Sequence, residues 1–303
     1  MEGWILSKIK EEEIKDTSYE LSRFLEVAKK RNIKIRIFKP DQFDLMVTRE
    51  DKKSIILDNE SIQLPQFLLP RQGADTPYFS LAIIRQLERL GVPTFNSSSS
   101  IEAVKDKLYT QQILATSNLP VPKTMLVRSP ININLIEKMI NFPAVVKTIS
   151  GTQGSGVFLC ENKGNLKDLM ELIDTAKTNT NFIIQEFIHN SRGRDLRVFV
   201  VGGRIIACME RVSKDGSFKA NFSRGGEVKE YPINEEIEWL ATESARILGL
   251  EITGVDLLFD GEHFKVCEAN SSPGFKGLEK CCPVSIPDTI FDFIQVRLGL
   301  YTR

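Results

Sequence analysis

The chain has 303 residues, 42% of them hydrophobic, with 40 Lys and Arg against 40 Asp and Glu and a formal net charge of zero. That length suggests roughly two domains and enough chain to bury a core without disulfides or metals. A neutral total excludes a protein whose whole surface recruits nucleic acid or acidic membrane, because both require a basic excess.

The first hundred residues alternate short apolar strands with amphipathic helices. Trp4 to Leu6 reads as a strand, and Thr17 to Arg31 places Leu21, Phe24, Leu25 and Ala28 at helical spacing. Ile33 to Phe38 follows as a second strand, with further strands expected at Asp44 to Thr48, Ser54 to Leu57 and Gln66 to Leu69. A helix from Phe79 to Leu90 is closed by Gly91, and a strand from Pro93 to Phe95 leads to Asn96. This is one α/β unit, residues 1–96, and Ser97 to Ser100 then offers a helix N-cap. Helices at Ile101 to Asp106 and Leu108 to Asn118 run into the stiff connector Leu119-Pro120-Val121-Pro122. A second unit, residues 97–188, has strands at Lys123 to Val127, Ala144 to Thr148, Gly156 to Cys160 and Phe182 to Glu186, with a helix at Asn165 to Ala176. The third, residues 189–303, has strands Asp195 to Val201 and Arg204 to Val212 and a helix Glu235 to Leu248 ended by Gly249. A hairpin from Gly254 to Asn270 and a last helix from Ile286 to Leu298 complete it.

No apolar run approaches the roughly 20 residues that cross a bilayer. Met1 to Glu13 holds only Trp4-Ile5-Leu6 as an apolar stretch, so no signal peptide is expected and the chain reads as cytoplasmic. Cys160, Cys208, Cys267, Cys281 and Cys282 are odd in number and lack CxxC spacing, the pattern of reduced thiols. With two histidines, no GxSxG and no P-loop, the chemistry has to run on Lys, Arg, Asp, Glu, Asn and backbone amides.

Four constellations carry that chemistry. Gly254-Val255-Asp256 and, across a turn at Asp260-Gly261, Glu268-Ala269-Asn270 put Glu268 and Asn270 on one strand face. A three-residue loop, Asp260 to Glu262, would pair Asp256 with Val266 and set Glu268 diagonally beside Asp256. Two carboxylates and an amide oxygen suit Mg²⁺, although an ordinary hairpin with a polar solvent face has the same composition. The run Thr148 to Val157, with Gly151, Gln153, Gly154, Ser155 and Gly156, can wrap backbone N–H groups around phosphate oxygens, or be a mobile hairpin loop. Lys147 ends the apolar strand Pro143 to Val146, where an ammonium needs a partner, whereas Lys107 alone reads as a solvated helix charge. Finally, residues 192–224 hold eight basic against three acidic side chains, and residues 251–270 five acidic against one basic. Cationic and acidic segments side by side suit a Mg-nucleotide and a carboxylate.

In order, Asp106-Lys107-Leu108, Val145-Val146-Lys147, Gly151 to Val157, Gln185 to Ile188, Gly193 to Arg197, Asn221 to Gly226, Gly254 to Asp256 and Glu268 to Gly274 resemble the ATP-grasp superfamily, and within it the RimK-type α-L-glutamate ligases. Leu69 to Ala74 and Asn96 are similar to the pre-grasp domain of that family, and Lys219-Ala220-Asn221 departs from the Arg-Ser-Asn of many members. The resemblance implies an α/β pre-grasp domain followed by a two-lobed α+β ATP-grasp domain. ATP would lie between the lobes, with Lys107 and Lys147 on its phosphates, residues 151 to 156 folded over them, and Lys219 also contacting the nucleotide. Glu186, Phe187 and Ile188 would receive the adenine, with Gln185 beside them in the nucleotide site, and Asp195 would hold the ribose. Asp256, Glu268 and Asn270 would bind two Mg²⁺, or Mn²⁺, and Arg211 and Asn221 would neutralise the transferring phosphoryl group. Arg192, Arg194, Arg197 and Arg224 are candidate binders of substrate carboxylates.

The implied reaction joins an amino acid, L-glutamate first among them, to a protein C-terminus or a small-molecule carboxylate through an acyl phosphate. No nucleic acid or membrane partner is expected, and a homo-oligomer is. The alternatives are an ATP-binding scaffold without turnover and an ATP-grasp kinase.

Overall fold

The computed structural model describes residues 1–15, 18–47, 49, 54–73, 76–127, 131–149, 156–175, 181–214, 216–220 and 225–300. The N-terminal unit is built from β1 (Glu2–Ser7), α1 (Tyr19–Lys30), β2 (Lys34–Phe38), β3 (Phe43–Leu45), β4 (Ile55–Leu57), β5 (Glu60–Ser61), β6 (Phe67–Arg71) and α2 (Tyr78–Arg89). Its main sheet is parallel in the order β2-β1-β6, and β3-β4-β5 form a small antiparallel sheet beside it. The strand expected at Pro93 to Phe95 is reduced to a single parallel bridge between Thr94 and Leu68. Gly91 does end α2 with a positive φ of 82°.

Two helices, α3 (Ser98–Lys105) and α4 (Lys107–Thr116), make the crossing to the rest of the chain. Ser97 caps α3 by accepting from the Ser100 amide, and Asp106 caps α4 through the Tyr109 amide. The serines therefore form the first turn of α3 rather than only preceding it. The small lobe contains β7 (Thr124–Val127), α5 (Ile133–Met139), β8 (Ala144–Thr148), β9 (Val157–Cys160), α6 (Lys163–Thr175) and β10 (Phe182–Glu186). It is an antiparallel sheet in the order β7-β10-β8-β9, with its own core of Ile136, Ala144, Val146, Leu166, Met170 and Ile184.

The large lobe follows with β11 (Arg194–Val201), β12 (Arg204–Val212), β13 (Glu227–Glu230), α7 (Glu235–Ile247), β14 (Ile252–Asp260), β15 (His263–Asn270), α8 (Lys276–Cys281) and α9 (Ile286–Arg297). Its antiparallel sheet runs β13-β12-β11-β14-β15. One face packs on α7 through Val198, Leu240, Ala241 and Val255. The inner residues of α1 and the N-terminal sheet, Phe24 and Phe67, join Phe199, Ile252, Phe275 and Ile290 in one continuous core. At this seam Asn96, fully buried, makes four hydrogen bonds: it donates to the carbonyls of Ile252 and Ser271 and accepts from the amides of Glu251 and Ile252. A single side chain thus fixes the N-terminal unit to the base of the β14/β15 hairpin.

Candidate active site

The three units enclose a cavity of about 980 Å³, within the range of small-molecule sites. Its floor is a row of charged side chains across the large sheet. In strand pairing Asp195 stands opposite Arg211, Arg197 opposite Asp256, and Asp256 opposite Glu268. Asp195 and Arg197 are two residues apart on β11, so the whole row points to one face.

The hairpin reaches this arrangement by a different route from the expected one. Asp260 pairs with His263, which leaves a two-residue turn, Gly261-Glu262, with Gly261 at φ +67°. That register alone would put Cys267 opposite Asp256. A bulge makes up the difference: Leu257 pairs with Val266 and Asp256 with Glu268, leaving Cys267 as the extra residue. The Cys267 carbonyl accepts from Gln111 Nε2 on α4 at 2.8 Å, so the irregular residue keeps a hydrogen-bond partner. Asp256 and Glu268 therefore face each other directly rather than diagonally, and Asn270 shares their face.

Bonds along the row alternate in charge. Arg211 grips Asp195 through Nε and a terminal nitrogen at 2.6 and 2.8 Å and reaches Asp256 at 2.9 Å. Arg197 grips Asp256 through Nε and a terminal nitrogen at 2.8 and 2.7 Å. Burial pushes the Asp256 carboxyl up, but Arg197 and Arg211 outweigh it and hold the group at about 2. Burial raises Asp195, which has the Arg211 fork as its counter-charge, and lowers Arg211, which its two carboxylates more than restore. Gly254 belongs to the same face, where a Cβ would lie 2.8 Å from Pro273 Cβ; its bare backbone lets the loop after Asn270 close over the row.

The lysines reach the row from two elements, Lys147 from the four-stranded lobe and Lys107 from α4, which packs against the large sheet. Lys147, on β8, donates to Gln185 Oε1 at 2.7 Å and lies 3.6 Å from Cys267 Sγ. Gln185 in turn donates to Thr124 Oγ1 at 2.8 Å. Lys107 opens α4 and lines the cavity; burial lowers its pKa and Glu268 opposes the shift. Burial pushes the Cys267 thiol up to about 11, against the pull of Lys147. Glu186 accepts from the Lys123 amide at 3.0 Å and from Lys265 Nζ at 2.7 Å, and Phe187, Ile188 and Lys219 complete this wall.

These placements give several of the expected site residues partners within the protein. Both Asp195 oxygens accept from Arg211, so Asp195 orients that guanidinium and keeps further lone pairs facing the cavity. Gln185 is buried, lines the cavity and holds Lys147 through its Oε1. Among the expected substrate arginines, Arg197 is bonded to Asp256. Arg194 is paired with Glu210 at 2.8 Å and stacked 3.7 Å over Phe259, and Arg192 pairs with Glu161 and is absent from the cavity lining. Gly151, Gln153, Gly154, Ser155, Asn221 and Arg224 lie outside the described residues, while Gly156 does not. Residue-by-residue reading passed over Gln111, whose role depends on a bulge, and gave no role to Arg71, whose guanidinium lines the cavity from β6.

A model of the RimK-like ATP-grasp domain matches residues 104–294, and one of the RimK pre-ATP-grasp domain matches residues 5–101. The chain belongs to the RimK-like ATP-grasp family. A probable α-L-glutamate ligase of Rhodopirellula baltica is 34% identical over 281 residues, 92% of this chain and 69% of the relative. One from Trichodesmium erythraeum is 33% identical over 282 residues, 93% of each chain. Among solved structures, the ATP-grasp ligase PsnB complexed with minimal precursor matches with a TM-score of 0.74 at 19% identity, covering 98% of both chains. A D-alanine–D-alanine ligase of Bacillus anthracis matches at 0.69 and 17% identity, again over 98% of both. The fold is therefore a pre-grasp domain followed by ATP-grasp lobes, and this RimK-like protein is an ATP-dependent ligase that forms carbon–nitrogen bonds. Among the described residues no helix is long and apolar enough to cross a membrane.

Proposed function

We propose that this ligase adds L-glutamate or a related amino acid to the carboxylate of a protein C-terminus or a small molecule, by way of an acyl phosphate. The observation that carries the reading is the alternating row Asp195, Arg211, Asp256, Arg197 with Glu268 facing Asp256, lining one cavity with Lys107 and Lys147. In our reading Lys107 and Lys147 hold the nucleotide phosphates and Glu186 to Ile188 border the adenine. The boundaries proposed for the three units are 1–96, 97–188 and 189–303.

Asp256, Glu268 and Asn270 fit magnesium by donor type, since all three are hard oxygen ligands on one face beside the lysines. We assign them two Mg²⁺, with Mn²⁺ able to substitute. Bound with ATP, magnesium supplies neutralisation of the phosphate charge. Arg211 is held rigid by two carboxylates and needs no reorganisation to meet the charge that develops on the transferring phosphoryl group. The acceptor carboxylate attacks the γ-phosphate, ADP leaves, and the amine of the amino acid displaces phosphate to give the amide. No nucleophilic side chain is required, in keeping with the missing triad.

The test is release of ADP and phosphate, with product mass, across the standard amino acids and a set of acceptors: peptides ending in glutamate and N-acetylated amino acids. A ligase liberates ADP and phosphate in equal amounts only when amine and acceptor are both present. ADP with a phosphorylated acceptor and no free phosphate would instead mark a kinase, and no turnover a scaffold.

A further inference from the structure

We propose that Arg71 binds a carboxylate of the incoming amino acid, one that takes no part in the new bond. The inference rests on the ligase reading above and names the group that selects its amine substrate. Arg71 ends β6, paired with Ser7 of β1, and reaches the cavity from the pre-grasp side. One terminal nitrogen donates to the Pro273 carbonyl at 2.8 Å, three residues beyond Asn270. The guanidinium therefore stands beside the end of the strand that bears the proposed metal ligands, where a second substrate must approach an activated carboxyl.

The arginine differs from the others at this site. Arg194, Arg197 and Arg211 each hold a carboxylate at 2.9 Å or less, whereas Arg71 has no ion-pair partner among the described residues. Its neighbours are the rings of Phe24 and Phe275, 5.7 and 5.8 Å from the guanidinium carbon. The nearest acidic influence, Glu20, is bonded to the Phe275 amide at 3.1 Å. Burial pulls the Arg71 pKa down to about 10, the mark of a cation short of counter-charge. A guanidinium has five N–H donors in a planar fork, and the Pro273 carbonyl takes one, so a bidentate carboxylate can be accommodated.

An amino acid that supplies an amine brings at least one carboxylate that must stay unactivated. Holding it on the pre-grasp wall keeps it from the phosphates and aims the amine at the acyl group. A site built around such a pair rejects the uncharged isostere strongly, because the buried cation would then be left unpaired.

The experiment compares kcat/KM for L-glutamate, its α-carboxamide and its γ-carboxamide, glutamine, using an acceptor that supports phosphate release in the panel above. The wild-type enzyme is expected to prefer glutamate over one of the two amides by about 100-fold or more. In Arg71→Met that preference falls to within a few-fold of unity through a rise in KM for glutamate, with affinity for the ATP analogue AMPPNP unchanged. Arg71→Lys, which keeps the charge but loses the fork, should fall between them and serves if the methionine variant does not fold. Equal losses for glutamate and both amides, or a loss confined to the acceptor KM, would overturn the assignment and leave the ligase reading intact. A wild-type enzyme that releases no phosphate with any amino acid would overturn the ligase reading and this inference with it.

Discussion

The two lobes that face the cavity are held to the rest of the molecule by different physics. The five-stranded sheet shares a continuous apolar core with the pre-grasp domain, reinforced by Asn96 and by Glu279, which accepts from Tyr19 Oη at 2.7 Å and Arg23 Nε at 2.9 Å. The four-stranded lobe has a separate core. Its links across the cavity are polar: Lys147 to Cys267, Glu186 to Lys265, Glu161 to Arg192, and the Lys107 amide to the Ile149 carbonyl at 3.3 Å. Apolar area resists sliding, whereas a thin polar seam permits it. On this comparison the charged row and the pre-grasp wall are expected to move together, and the four-stranded lobe with Lys147 to be the part that shifts.

Substitutions in the row should cost most. Asp256→Asn leaves Arg197 and Arg211 against a neutral amide. It is expected to lower turnover by at least ~1,000-fold and stability by about 3 to 5 kcal/mol, read from steady-state kinetics and denaturant unfolding. Asn96→Ala separates the seam from the chemistry. Losing four buried hydrogen bonds should cost about 3 kcal/mol, while kcat of the folded fraction stays within about threefold of wild type. Lys147→Met belongs to the other lobe and reverses the pattern: AMPPNP affinity falls about 30-fold, roughly 2 kcal/mol, with little change in unfolding midpoint. The smallest effect is expected from Lys265→Met, a half-buried cross-lobe pair worth at most about 1 kcal/mol. It should show chiefly as faster hydrogen exchange in residues 124–127 and 182–186.

The same comparison explains what could be read from the chain. Helix periods in α1 and α2, the glycine stops at Gly91 and Gly249 and the apolar strands of both lobes are local signals, and they fall where expected within a few residues. The strand β13 and the short helices α5 and α8 escaped because four to seven residues are too few to establish a period. Glu268 and Asn270 were legible as one face, but Asp256 joins them through a two-residue turn and a bulge, not through the three-residue loop expected. The Cys267 bulge is supported by Gln111, 156 positions away in the chain. The charge tally likewise located a cationic stretch beside an acidic one without showing that Arg197 and Arg211 of the first close on Asp256 of the second. That pairing separates arginines already bonded to carboxylates from Arg71, which a charge count treats alike.

The most direct test of the acyl-phosphate account is trapping with hydroxylamine. Incubated with Mg-ATP, an acceptor carboxylate and hydroxylamine but no amino acid, the enzyme should produce the acceptor hydroxamate and ADP in equal amounts, and Asp256→Asn should produce neither. ADP formed without hydroxamate, or hydroxamate yield unaffected in Asp256→Asn, would contradict the account.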